Sequence, residues 1–455
     1  MAGFDLKNAS AAETAAAVRL GDCSALEACD AAISRIEKLD GPINAVVVRD
    51  FERARSAAKA IDASRSREDK RPLLGVPMTV KESNDVAGLP STWGMPMFKE
   101  LPVREDSVPV QRLKAAGAVI LGKTNVPVAL ADWQAVNPIY GRTVNPFDHA
   151  RSPGGSSGGA AAAVAAHMVP LEFGSDIGGS IRVPAAFCGV FGHKPTYGIV
   201  PLKGHGFPGT DAADVPLAVV GPLARTTDDL KAALDVVMGP LDGGGYRLDV
   251  APAPHEKLSD FRVLVLDTHP SVPTDASVRE PLNKLADALQ RAGAKVVRKI
   301  ANLPDLASSL QDYIAMLTAV TTRGAPGAKP IDAHAWMELG DKQMRHARAW
   351  RSVFEIIDVV VTPAFGVPAY PHDDNPDWGQ RKLTVDGVET RYGAQIGWPG
   401  VATFPGLPAT AVPIAKTLEG LPVGVQVIGP LFGDHTSLAF SKALELAGLT
   451  LNQRQ

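Results

Sequence analysis

Two serines are set among glycines in a way that suits acyl chemistry. One is in Gly154-Gly155-Ser156-Ser157-Gly158-Gly159, the other in Gly178-Gly179-Ser180. Glycine lets a backbone approach a bound group closely. The N–H groups of Ile177, Gly178, Gly179 and Ser180 are therefore candidates to cradle the oxyanion formed when a serine attacks a carbonyl. A serine hydroxyl needs a base before it attacks. Lys81 stands directly after the apolar run LLGVPMTV at 73–80. A lysine there must either snorkel to solvent or be held by polar partners. A free lysine, at about 10.4, is too basic for the task, but burial lowers that value by disfavouring the ammonium.

Other chemistries fit less well. Gly154 to Gly158 satisfies G-x-S-x-G, the turn of α/β-hydrolases, with Asp358 and His435 as later partners. That turn must follow a buried strand, and NPFDHARSP at 145–153 makes a poor one. A phosphate-cradling reading lacks the G-x-x-x-x-G-K-[ST] run, since Lys194 precedes Pro195. The ten histidines are scattered, with no H-x-x-x-H or C-x-x-C, so no metal site is expected.

Residues 151–198, RSPGGSSGGAAAAVAAHMVPLEFGSDIGGSIRVPAAFCGVFGHKPTYG, resemble the amidase signature family of serine hydrolases. GLPATAVP and LPVGVQVIG, nearer the C-terminus, resemble its later segments. Ser156 follows Lys81 by 75 residues and Ser180 follows Ser156 by 24, in step with the family pattern. The resemblance implies Ser180 as nucleophile, Ser156 as a bridging serine on a cis peptide, and Lys81 as base. It implies hydrolysis of a carboxylic amide, with esters, aryl amides and carbamates as related substrates, and no cofactor. It leaves open an amidotransferase subunit that supplies ammonia from glutamine for transamidation of charged tRNA. Asp176 and Arg182 bracket the nucleophile as an expected ion pair, and Ser157 as a loop support or a plain turn serine. Glu82 stands where the family often has aspartate, Ser175 where it often has threonine, and His193 where it often has an apolar residue. Trp133 and Gln134 are candidates to line the substrate pocket.

The elements that must position these groups follow from pattern. Ser10 with Glu13 and Ser24 with Glu27 form capping boxes ahead of two helices at 10–39. A helix is expected at 51–61, a buried strand at 73–80, and a helix then a strand at 107–122. The alanine run at 160–166 reads as helix and 169–173 as strand, so the serines sit on loops at their ends. Lys203, His205 and Phe207 fall in an ordered loop near the site. A strand at 219–223 precedes a helix at 227–238 capped by Thr227. After a connector at 239–260, strand, helix and strand at 261–300 indicate parallel α/β pairing. Helices at 306–318 and 334–354 flank a Gly/Pro-rich loop at 321–330 that reads as a mobile pocket edge. A strand at 358–362 leads to a long polar stretch, 366–400, read as a lid carrying Tyr370, Trp378, Tyr392 and Trp398. Those aromatics favour a bulky or aryl substrate. Strands at 407–413 and 422–428 and a helix from 436 close the chain.

With 455 residues, 45% hydrophobic and 21% charged, the chain suits a globular protein with a large core. Length alone suggests about two or three domains. The resemblance implies one domain over 1–455, with a signature core at about 70–225 and a C-terminal part at about 226–455 completing the sheet and pocket. The expected fold is α/β, a mixed twisted sheet covered by helices on both faces. A net charge of −3 and no basic run give no reason to expect nucleic acid. Three scattered cysteines, no apolar leader and no run of about 18 apolar residues point to a cytoplasmic protein acting off the membrane on a small molecule. Oligomeric state is not readable.

Overall fold

The computed structural model describes residues 4–451, apart from 102, 211–212, 242–244 and 326. Positions 242–244 of the connector and 326 of the Gly/Pro-rich loop thus lie outside the described residues. Its centre is an eleven-stranded mixed sheet. The strands in chain order are β1 (Val46–Arg49), β2 (Pro77–Lys81), β3 (Val119–Thr124), β4 (Leu171–Asp176), β5 (Phe191–Lys194), β6 (Val219–Ala224), β7 (Arg262–Val265), β8 (Lys295–Val297), β9 (Val359–Pro363), β10 (Ala409–Lys416) and β11 (Pro422–Ile428). Their order across the sheet is β1-β3-β2-β4-β6-β5-β10-β11-β9-β7-β8. β2 runs parallel to β3 and β4, and β7 parallel to β8 and β9. The other pairings are antiparallel.

β2, β3 and β4 are buried along their whole length, so their polar residues, Lys81, Lys123, Glu172 and Asp176 among them, are buried with the apolar ones. The alanine-rich helix Gly158–Ala165 packs close to this sheet, its small side chains wholly buried up to Val164. Both capping boxes form: Ser10 and Glu13 open the helix Ala11–Leu20, Ser24 and Glu27 the helix Ala25–Ile43. The strand–helix–strand unit after 260 is parallel, with the helix Ala276–Arg291 as its crossover.

Several expectations need correction. The strand before Lys81 starts at Pro77, because Leu73 to Gly75 form a turn with Gly75 at φ +71°. Thr226, not Thr227, caps the helix Thr227–Val237, its side chain accepting the Asp229 N–H. The stretch 366–400 is not a long loop. It carries a hairpin (Lys382–Val385 with Val388–Arg391), a 3-10 turn and the start of the helix Gly397–Thr403. The hairpin turns at Asp386-Gly387, both at positive φ, the backbone such a two-residue turn demands. Trp398 is fully buried in a separate core cluster, with its indole N–H on Thr274, so it is no part of a lid.

Candidate active site

Lys81 closes β2 with its side chain wholly buried. Its Nζ is hydrogen-bonded to Ser156 Oγ at 2.6 Å and to Ser175 Oγ at 2.9 Å. Burial lowers its pKa from 10.5 to about 7, although the carboxylates of Asp176, Glu172 and Glu82 pull the other way. A neutral amine that accepts a proton from a serine is therefore accessible near neutral pH. Glu82, next along, is spent on structure: it accepts the Thr92 N–H and hydroxyl, each at 2.6 Å, and the Trp93 N–H at 3.0 Å.

Ser156 follows a cis peptide from Gly155. Only glycine fits at 155, since a Cβ there would stand 2.3 Å from the Gln134 carbonyl oxygen. Ser157 joins the two serine loops. Its N–H donates to the Ser180 carbonyl at 3.1 Å, and its hydroxyl donates to the Ser175 carbonyl at 3.2 Å. Ser180 is 6% exposed and Ser156 1%, so Ser180 is the more open to an incoming carbonyl.

The loop before Ser180 is wound around a buried ion pair. Asp176 Oδ1 accepts Arg182 Nη2 at 2.8 Å and the Gly179 N–H at 2.9 Å. Asp176 Oδ2 accepts Arg182 Nε and the Ile181 N–H, both at 3.0 Å. Burial alone would raise this carboxyl, but the charge and hydrogen bonds of Arg182 outweigh it and hold the pKa at about 2. Arg182 also reaches Pro399 O, Thr403 Oγ1 and Gln426 Oε1, which anchors the loop to the C-terminal segment. Of the four expected oxyanion donors, the Gly179 N–H is bonded to Asp176 Oδ1. Among the described residues, the N–H groups of Ile177, Gly178 and Ser180 donate to no protein acceptor.

Trp133 is buried beside this loop, and its indole N–H donates to the Gly178 carbonyl at 2.8 Å. Its ring meets Phe365 edge-on and Trp378 and Tyr392 at a tilt, so an aromatic cluster does border the Ser180 loop. Gln134 does something else: its amide exchanges hydrogen bonds with the backbone of Asp373, which ties down a distant loop. His205 bonds Ser83 Oγ at 3.0 Å, two residues past Lys81, and burial lowers its pKa to about 3. His193 is a core tie between Thr410 and Asp434. The two partners that G-x-S-x-G would need are engaged elsewhere, Asp358 with Arg262 and His435 with Asp235.

Sequence reading passed over Tyr313, whose hydroxyl donates to the Ile177 carbonyl at 2.6 Å. It also passed over Glu172, buried in β4, which accepts the Thr124 hydroxyl at 2.6 Å and whose pKa burial raises to about 8. Neither has a sequence pattern to announce it. Among the described residues no group of three or more His, Cys, Asp or Glu could hold a metal, and no helix is long and apolar enough to cross a membrane. The three cysteines are free and buried.

A buried lysine, hydrogen-bonded to a serine on a glycine loop, closes an interior strand of the mixed sheet. The chain matches the Amidase family model over residues 27–329 and 318–438, and it belongs to that family, as a hydrolase of amide C–N bonds. It is 33% identical to an indoleacetamide hydrolase of Bradyrhizobium diazoefficiens, over 96% of this chain and 86% of that one. It is 31% identical to a glutamyl-tRNA(Gln) amidotransferase subunit of Deinococcus radiodurans, over 96% and 97%. A solved structure, from a vestigial protein complex bearing on the origins of an s-triazine catabolic enzyme, superposes with a TM-score of 0.84 at 29% identity, covering 97% of this chain and 99% of that one.

Proposed function

We propose that this chain hydrolyses carboxylic amides of small molecules, with Ser180 as nucleophile, Ser156 as proton relay and Lys81 as base. The observation that carries the reading is the buried Lys81 amine, 2.6 Å from Ser156 Oγ and with its pKa lowered by burial to about 7. Neutral Lys81 takes the Ser156 hydroxyl proton as Ser156 takes that of Ser180. Ser180 Oγ then bonds to the substrate carbonyl carbon. The N–H groups of Ile177, Gly178 and Ser180 face the negative oxygen that results. Ser156 passes a proton to the leaving nitrogen and regains one from the Lys81 ammonium, and the C–N bond breaks. Water, deprotonated by the same relay, attacks the acyl ester, and collapse returns the Ser180 hydroxyl and releases the acid. Every proton and electron pair comes from these side chains, the substrate and water.

The aromatic cluster of Trp133, Phe365, Trp378 and Tyr392 beside Gly178 supports an aryl or otherwise bulky acyl group. The test is hydrolysis of an aryl amide, the matching ester and the matching carbamate by wild type, Ser180→Ala and Lys81→Ala. Amide turnover is expected to fall about a thousandfold or more in both variants, with circular dichroism unchanged. Near-wild-type turnover in either would remove the relay. The likeness to an amidotransferase subunit supports a second reading, release of ammonia from glutamine for a partner enzyme. Glutaminase activity that appears only with co-purified partners, together with inert aryl amides, would favour it.

A further inference from the structure

Two side chains remote in sequence hold the nucleophile loop by its carbonyls. Tyr313, in the helix Leu306–Thr321, donates to the Ile177 oxygen at 2.6 Å, and Trp133 Nε1 donates to the Gly178 oxygen at 2.8 Å. A trans peptide is planar, with its C=O and N–H pointing in opposite directions. Among the described residues the cis bond is at Gly155-Ser156, so the Ile177-Gly178 and Gly178-Gly179 peptides are trans. Fixing the Ile177 carbonyl therefore aims the Gly178 N–H away from Tyr313. Fixing the Gly178 carbonyl aims the Gly179 N–H, which ends on Asp176 Oδ1. The Gly178 N–H meets no protein acceptor among the described residues.

We propose that Tyr313 is a positioning residue for amide hydrolysis: by binding the Ile177 carbonyl, it aims and polarises the Gly178 N–H at the oxygen of the tetrahedral intermediate. The proposal rests on Ser180 being the nucleophile. A donor on the carbonyl side strengthens the N–H on the other side of the same peptide, because hydrogen bonds in a chain polarise one another. The ring is fully buried, and burial raises its pKa above 10, so the hydroxyl remains a donor across the working pH range. Its place is built in. Gly400, in the helix Gly397–Thr403, lies so close that a Cβ would meet the Tyr313 ring at 2.7 Å. A Cβ on Gly178 would stand 2.9 Å from Ile396 Cδ1, so that side-chain tip would have to move aside.

Tyr313→Phe removes one oxygen and keeps the ring. The experiment compares full-length wild type, Tyr313→Phe and Ser180→Ala, using an aryl amide and the aldehyde with the same acyl group, which forms a tetrahedral adduct with a serine nucleophile. Tyr313→Phe is expected to lower kcat about 10- to 100-fold, leave KM within about twofold, and weaken aldehyde inhibition by the same factor as kcat/KM. A merely structural role would move stability or KM but not the aldehyde and kcat together. Unchanged kcat in Tyr313→Phe, with turnover lost in Ser180→Ala, overturns the role of Tyr313 alone. Retained turnover in Ser180→Ala overturns the nucleophile as well, since Tyr313 then has no oxyanion to serve. If Tyr313→Phe does not fold, 3-fluorotyrosine at 313 keeps the packing and offers a more acidic donor. A higher kcat then supports the proposal, and a kcat equal to wild type overturns it.

Discussion

In the proposed relay Lys81 is the base, and its charge state then sets how activity should vary with pH. Burial brings the side chain from 10.5 to about 7, so the amine is mostly neutral above that pH and mostly ammonium below it. Only the neutral form can take the Ser156 proton. We therefore expect kcat/KM to fall about tenfold per pH unit once pH drops well below 7, measured from pH 5 to 9. Lys81→Arg, always cationic and forked, should be inactive at every pH. A flat profile down to pH 5 would contradict the assignment. Linkage has the same sign. Between about 7 and 10.5 the unfolded chain holds a proton that folded Lys81 lacks, so this group's contribution to stability grows with rising pH and is lost as pH falls through about 7. At this scale the sequence shows what is local. Asp176 and Arg182 lie six residues apart around one glycine turn, and their pairing was legible. Tyr313 was not, because its partner carbonyl lies 136 residues earlier and a helical tyrosine looks like core.

Elements with self-contained signals were readable, and elements defined by tertiary contact were not. The capping boxes at Ser10 and Ser24 announced their helices because both partners sit within four residues. The hairpin after 380 carried its own Asp386-Gly387 signal, yet its strands are only four residues long and mostly polar, so the stretch read as loop. The tip of that hairpin is held at Asp386 by the Ala276 N–H and Arg279, and its feet are held by Asp132. Its Oδ2 accepts Arg381 Nη1 and its Oδ1 the Tyr392 hydroxyl, both at 2.7 Å, one from each foot of the hairpin. The next residue, Trp133, holds the Gly178 carbonyl, so this one loop links the hairpin to the Ser180 loop. Asp132→Asn keeps an acceptor for Tyr392 but leaves the nearly buried Arg381 without its counter-charge. That should cost about 3 kcal/mol locally. Hydrogen exchange is the measurement: amides at 382–391 should exchange at least about tenfold faster while those of β4 stay protected. Unchanged exchange in the hairpin would mean the latch lies elsewhere.

At the scale of the whole molecule, the strand–helix–strand pattern at 261–300 and the family resemblance carried the α/β class, but beyond that one parallel pair no sequence pattern carried the order of the sheet. Strands from before residue 226 occupy one side, β1-β3-β2-β4-β6-β5, and those from after it the other, β10-β11-β9-β7-β8. The halves meet where β5 pairs with β10, Gly192 to Lys194 against Ala409 to Ala411. Buried polar groups cross that seam. Asp434 Oδ1 accepts the Thr196 N–H at 2.8 Å and lies 3.1 Å from His193 Nε2, and its Oδ2 accepts the Thr196 hydroxyl at 2.6 Å. Arg182 reaches across to Gln426 at 2.7 Å, so the Ser180 loop itself depends on both halves. We infer that the chain folds as one domain, and that far-UV circular dichroism and tryptophan fluorescence report the same urea midpoint. Asp434→Ala strips three buried donors of their acceptor and should lower stability by about 3 kcal/mol. If the halves are one cooperative unit, both probes shift together and activity is lost along the same curve. A second transition, or fluorescence and dichroism midpoints that separate in wild type, would show instead that the halves unfold independently and that the seam only docks them.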